Sequence, residues 1–266
     1  MNWDESISWL KAQQGYEDLI YCSYYDDPID RAIDRFRYSA EWKATTPYLP
    51  SPGTALDVGA GNGIASCALA SSGWSVFSLE PNMGQVAGLH SFLPLVKQRN
   101  YRIHPVAGSA EYLPFADSFF DLVYMRQVMH HAANLPQFCM ELSRVLKPGG
   151  TIIAARDHVI TRSEDLSQFK ISHPLSHICG EEHAYLVAEY LHALRAAGFQ
   201  ISRVLNSAES DINLYPSNTS EYKEQLRRKV HLPCTFPIPH IFLKIAGYVD
   251  NTPGRLYSFV GHKRKS

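Results

Sequence analysis

No stretch of ~18 consecutive apolar residues occurs in this 266-residue chain, so nothing in it reads as a membrane span. Cysteine is sparse and scattered: Cys22, Cys67, Cys139, Cys179 and Cys234 are odd in number, and no two stand in C-x-x-C spacing. That excludes a zinc ribbon and a thioredoxin-like motif, and reduced thiols in a cytoplasmic protein are the simplest expectation. Neither sign of charge dominates. Lys plus Arg number 25 and Asp plus Glu 26, for a net charge of -1, whereas a general nucleic-acid binder carries a marked basic excess. The first residues, Met1-Asn2-Trp3-Asp4-Glu5, are acidic where a signal peptide is basic. Glycine and proline, 16 each, are too few for a fibrous or low-complexity chain, and there are no internal repeats. What remains is 45% hydrophobic and 12% aromatic, enough to bury an ordinary core.

Residues 1–50 are rich in Trp, Tyr and charge, with Ile7, Leu10, Ile29, Ile33 and Phe36 at roughly helical spacing. They are expected to form a pair of amphipathic helices, with Trp9 and Phe36 packing into a core. From 54 to 155, short apolar runs alternate with longer amphipathic ones. Strands are expected at 54–58, 75–79, 103–107, 119–125 and 151–155. Helices are expected at 62–72, at 82–93 ended by Pro94, and at 134–146. This alternation means βαβ units and a parallel sheet. A helix over 182–197, a strand at 199–205 and a final strand at 256–260 follow. Between those strands, 206–254 has no βα pattern, looks helical over 220–230, and is broken by Pro233, Pro237 and Pro239.

The sharpest motif is Leu56-Asp57-Val58-Gly59-Ala60-Gly61-Asn62-Gly63, a strand entering a glycine-rich turn and a helix. Glycine lets the backbone bend sharply and lets a ligand approach the main chain. A dinucleotide fingerprint needs its third glycine where Ile64 stands, which disfavours a nicotinamide dehydrogenase. Glu80 ends the next strand, where a carboxylate can accept from both hydroxyls of a ribose.

These residues, with Gly108-Ser109-Ala110-Glu111-Tyr112-Leu113-Pro114-Phe115, Phe120-Asp121-Leu122-Val123 and Arg144-Val145-Leu146-Lys147-Pro148-Gly149-Gly150, resemble the class I S-adenosylmethionine-dependent methyltransferases. The nearest subgroup is the type 11 small-molecule methyltransferase domain. The resemblance spans about residues 50–160. It implies a Rossmann-like, seven-stranded, mostly parallel α/β sheet with the last strand antiparallel and helices on both faces. Residues 1–50 would form a helical cap on a 51–266 domain, with the 206–254 insert as part of the substrate cover.

The resemblance also implies a set of S-adenosylmethionine-binding residues: Asp57, Gly59, Ala60 and Gly61 beside the methionyl portion, Glu80 on the ribose, and Pro81 and Asn82 bordering the adenine. Ser109 and Ala110 would stand at the adenine edge, where Ser109 replaces a frequent Asp, and Arg126 and Gln127 at the end of the fourth strand. The product would be S-adenosylhomocysteine.

Methyl transfer needs alignment first, and a general base when the acceptor is a hydroxyl or a protonated amine. Two strand ends carry suitable groups: Arg126 to His131, and Arg156-Asp157-His158. His158 is the leading base candidate. His131 is a second, although the His130-His131 pair also has a purely structural reading. Arg126 needs a partner, which could be the cofactor carboxylate, an acidic substrate, Asp57 or Asp157. Tyr21, Tyr24 and Tyr25 cluster in a turn where a ring could face a sulfonium and a hydroxyl could orient an acceptor, and Tyr21 joins the catalytic candidates. His173, His177 and His183, with Cys179 among them, have some metal-ligand character. Pro174 and the lack of a nearby carboxylate instead suggest a loop over the cleft, with no metal.

The expected activity is O- or N-methylation of a small molecule, such as a sugar or secondary metabolite, with no nucleic-acid or membrane partner. Two alternatives keep the cofactor: intramolecular chemistry such as cyclisation, or a non-catalytic binding module.

Overall fold

The computed structural model describes residues 3–173, 183–233 and 236–265. The chain begins with four short helices, α1 (Trp3–Ala12), α2 (Glu17–Cys22), α3 (Ile29–Tyr38) and α4 (Ala40–Thr45). The alternating part follows: β1 (Thr54–Val58), α5 (Ile64–Ser71), β2 (Ser75–Glu80), α6 (Leu89–Gln98), β3 (Ile103–Ala107), β4 (Phe120–Arg126), α7 (Leu135–Val145) and β5 (Leu146–Ile160). Then come α8 (Asp165–Ser172), β6 (Tyr185–Leu186), α9 (Val187–Ala196), β7 (Phe199–Leu205), α10 (Asp211–Leu214), α11 (Thr219–Lys229), α12 (His240–Val249) and β8 (Arg255–Lys263).

The strands form one sheet in the order β3-β2-β1-β4-β5-β8-β7, with β6 on the end of β5. Strands β1 to β5 pair in parallel, and β8 runs antiparallel to both neighbours. Strand alternation sends successive side chains to opposite faces. Ala55, Leu122, Tyr124 and Ile153 join α5 and α6 on one face; Leu56, Val58, Val123 and Met125 join α7 and α9 on the other. The order reverses between β1 and β4, and the carboxyl ends of these strands open into a crevice there, the usual ligand position in such sheets.

Several elements differ from their sequence pattern. Residues 1–50 are not one cap. Ile33, Phe36 and Trp42 belong to the same core as Leu69 and Trp74, so α3 and α4 cover the sheet itself, while α1 and α2 lie over its crevice. Trp9 is not core; it is 39% exposed and packs edge-on to Tyr16.

The expected 82–93 helix starts only at Leu89 and continues through Pro94 to Gln98. Its expected first turn is held open by Asp4, whose carboxylate accepts from the N–H groups of Gln85, Val86 and Ala87 at 2.8–3.2 Å. Pro94 costs one intrahelical bond, and burial of Leu89, Phe92 and Leu95 holds the helix around it.

The Pro148-Gly149-Gly150 turn lies inside β5, where the ladder with β4 shifts register between Phe120 and Leu122. Pro239 does not break the chain but stands immediately before α12, where proline is well tolerated.

Candidate active site

A cavity of about 690 Å³ opens at the carboxyl ends of β1, β2, β4 and β5. Its floor is the β1–α5 turn. Gly59, Gly61 and Gly63 all have positive φ (65°, 51° and 76°), a conformation costly for other residues. Their surroundings differ. A Cβ at Gly59 would press on Val128 and one at Gly63 on Phe92, whereas at Gly61 only the Tyr25 hydroxyl lies within reach, at 3.8 Å. Gly61 is therefore where the main chain faces open space.

Two carboxylates frame this turn. Glu80 accepts from the Gly61 N–H at 2.9 Å and the Asn82 N–H at 3.0 Å. Burial raises its pKa and those two N–H bonds oppose the rise. Asp57, almost wholly buried, accepts from the Ser66 hydroxyl at 2.5 Å, and Ser66 in turn meets Ser78 at 2.6 Å. Burial, reinforced by the charge of Glu80 against the Ser66 bond, lifts Asp57 from 3.8 to about 7.

A carboxyl raised in this way stabilises the fold fully below its unfolded value and loses that contribution as pH rises through the folded one. Asp57→Asn is therefore expected to stabilise the ligand-free chain increasingly between about pH 4 and 7, with a plateau above. Thermal unfolding across that range checks it; a pH-independent difference would contradict the burial argument.

The β4 end carries the strongest charge cluster. Arg126 lines the cavity, and its partner is neither Asp57 nor Asp157 but Glu41 of α4. The pair is two-pronged, Nε to Oε1 at 2.6 Å and Nη2 to Oε2 at 3.1 Å, and Nη1 donates to the Gln127 side chain at 2.7 Å. Burial works against the charge of Arg126, and the Glu41 carboxylate more than restores it. Arg156 reaches the same carboxylate at 3.8 Å and donates to the carbonyls of Ile212 and Tyr215. Burial lowers its pKa, with Glu41 opposing and Arg126 adding to the drop.

Arg156 therefore does not pair with Asp157, its neighbour in the sequence. It sits at a register shift between β5 and β8 with φ of 62° and turns toward α4. Asp157 instead accepts from the N–H groups of Val128 and His130 and from His130 Nδ1 at 3.0 Å.

His130, His131, His158 and His173 line one wall. Their rings are in series, with centroids 4.1 Å apart for 131–130, 4.8 Å for 130–158 and 5.0 Å for 158–173. His158 Nδ1 lies 2.6 Å from the Gly254 carbonyl, which can only accept, so Nδ1 donates and the neutral ring keeps its lone pair on Nε2.

Most sequence-picked residues thus meet in one place: Asp57, Gly59, Ala60, Gly61, Glu80, Pro81, Asn82, Arg126, Gln127, His131 and His158 all line the cavity. Three do not. Tyr21 is exposed, with the Arg35 guanidinium 3.8 Å from its ring centre, and Tyr25 takes the cavity position instead. Ser109 and Ala110 lie past the end of edge strand β3 and outside the lining, where the Ser109 hydroxyl accepts from the Glu111 N–H of its own turn. No described residue of 206–254 lines the cavity; the insert reaches it indirectly, by Tyr215 stacked on Tyr24 and by the Gly254 carbonyl on His158. Of the second histidine group, His173 belongs to the wall, His183 packs on Tyr185, and His177 and Cys179 lie outside the described residues. Trp3, Leu19 and Ser23 also line the cavity, without any sequence motif to mark them.

The sequence pattern of a family described as "Methyltransferase domain" matches residues 56–154, which carry the glycine turn, Glu80 and the Arg126 strand end. This core is a class I S-adenosylmethionine-dependent methyltransferase domain. Beyond the methyltransferase domain, a sterol 24-C-methyltransferase of Gibberella zeae is 30% identical over 204 residues, 74% of this chain and 52% of the relative. Matches to the curated relatives span 18% to 53% of those proteins' own lengths.

Solved structures of other proteins share the fold. A Haemonchus contortus phosphoethanolamine N-methyltransferase 2, in complex with phosphomonomethylethanolamine and S-adenosylhomocysteine, superposes with a TM-score of 0.61 at 18% identity, over 95% of this chain and 61% of that one. Geranyl diphosphate C-methyltransferase of Streptomyces coelicolor gives 0.60 at 15% identity, over 91% and 84%. The seven core strands with an antiparallel β8 agree with that fold. No described helix is long and apolar enough to cross a membrane.

Proposed function

We propose that this chain transfers the methyl group of S-adenosylmethionine to an oxygen or nitrogen of a small molecule, such as a sugar or secondary metabolite. One observation carries the reading: Glu80, at the end of β2, is oriented by the Gly61 and Asn82 N–H groups beside Gly61, the glycine of that turn whose Cβ direction is open. Each carboxylate oxygen so held keeps a lone pair for a ribose hydroxyl. The ligand is a cation at its sulfonium and amino groups, and its charge favours the ionised forms of Asp57 and Glu80, which burial by itself disfavours. Bound there, S-adenosylmethionine supplies a methyl group that the sulfonium already makes electrophilic.

The chain's own residues do the rest. Gly59, Ala60 and Gly61 give the methionyl portion its backbone surface, and Pro81 and Asn82 border the adenine. Arg126, fixed by Glu41 and Gln127, supports the carboxylate end or an anionic acceptor. The histidine wall faces the acceptor. His158, with Nδ1 committed to Gly254, takes the acceptor proton on Nε2 as the new bond forms, and His131 lines the path beside it. Helices α1 and α2, which bring Trp3 and Leu19 to the lining, exclude water from the cavity. Small molecules in both solved neighbours support an acceptor of that size.

Incubation with methyl-labelled S-adenosylmethionine and candidate acceptors tests the reading. Methylated product is expected, and tight binding with neither product nor cofactor breakdown would contradict it. His158→Gln is expected to lower kcat roughly 100-fold or more while leaving cofactor affinity near wild type, and to remove the acidic limb of the pH–rate profile. An unchanged kcat would discard His158 as the base.

A further inference from the structure

Helix α12 is turned inside out. Its small or medium residues Leu243 and Gly247 face the body, where Gly247 abuts Asn206, while Ile241, Phe242, Ile245, Tyr248 and Val249 are each at least half exposed. An ordinary surface helix buries its large apolar residues. The neighbouring chain has an equally unusual charge. Between Gln225 and Val249 there is no Asp or Glu, against Arg227, Arg228, Lys229 and Lys244. In a chain of net charge -1 this is a local basic excess.

The two features are joined physically. Arg227, partly buried in the last turn of α11, donates Nε to the Phe236 carbonyl at 2.8 Å and accepts from the Leu232 N–H at 2.9 Å through its own carbonyl. That fastens the basic end of α11 to the segment leading into α12. Glu224, one turn earlier, pairs with Arg227 and Arg228 and leaves Lys229 and Lys244 exposed.

We propose that the outer face of α12, with the basic end of α11, docks on an anionic lipid bilayer. Apolar and aromatic side chains beside Lys and Arg are the composition of a helix lying in the membrane interface, where aromatic rings are favoured. Each basic residue near such a surface adds about five-fold to binding. A second copy of the chain is the poorer occupant. A two-fold contact would set this basic excess against itself, since the flanking Glu224 is already committed to Arg227 and Arg228 and Asp250 to the Ser207 hydroxyl. The lack of a long apolar run speaks against a span but not against a docking face. Only four residues separate Val249 from Gly254, whose carbonyl holds His158, so a docked α12 would bring the cavity close to the lipid surface.

Flotation of the full chain with vesicles tests this without cofactor or acceptor, and so independently of methyl transfer. Binding is expected to phosphatidylcholine–phosphatidylglycerol vesicles and not to phosphatidylcholine alone, with attenuation by salt. Lys229→Gln and Lys244→Gln should each weaken it about five-fold. Phe242→Glu with Ile245→Glu should abolish it while leaving circular dichroism and Tm unchanged, since both side chains are exposed. Absence of wild-type binding to anionic vesicles would overturn the proposal. So would a dimer in light scattering that this double variant makes monomeric without any effect on vesicles.

Discussion

Glu80→Ala is expected to weaken S-adenosylmethionine binding by at least about 100-fold, since two hydrogen bonds to a charged carboxylate contribute on the order of 3 kcal/mol together. The loss has a second source. Glu80 also holds the Gly61 and Asn82 N–H groups, at 2.9 and 3.0 Å, so its removal leaves the glycine turn without its anchor. Glu80→Gln separates the two effects. It keeps the side-chain shape and one acceptor oxygen, and should retain part of the affinity. Calorimetric titration with S-adenosylhomocysteine measures both variants. An unchanged dissociation constant in Glu80→Ala would remove this cavity as the cofactor site.

Glu41→Gln is expected to destabilise the protein by about 3–5 kcal/mol, because a buried ion pair that loses one partner leaves the other charge uncompensated. Two cations depend on this one carboxylate, Arg126 at 2.6 Å and Arg156 at 3.8 Å. In a domain of this size the loss corresponds to a fall in Tm on the order of 10 °C. Removing the orphaned charge as well, with Arg126→Met, should recover part of the loss. Thermal unfolding of the single and double variants checks both statements. A single variant as stable as wild type would show that the cluster is not held by Glu41.

The sequence revealed those parts of the site that obey local rules. The glycine turn is legible because positive φ is a demand on single residues. Glu80 is legible because it ends a strand directly after that turn and helix. The same holds for the parallel order of β1 to β5, which follows from alternating periods.

What stayed hidden depends on distance along the chain. Glu41 stands 85 residues from Arg126, and no pattern links them. Asp4 meets the backbone of Gln85 to Ala87 from 81 to 83 residues away and decides where α6 begins. The register shift at Arg156 sends that side chain and Asp157 to different partners, although the two are adjacent in the sequence. Tyr21 and Tyr25 differ by four positions, and only the fold shows that Tyr25 has the cavity while Tyr21 has Arg35.

A crystal structure with S-adenosylhomocysteine tests the central claim most directly. The account predicts both ribose hydroxyls within hydrogen-bond distance of the Glu80 carboxylate and the ligand's sulfur facing the wall of His131 and His158. Ligand density elsewhere on the protein, or a ribose turned away from Glu80, would contradict it.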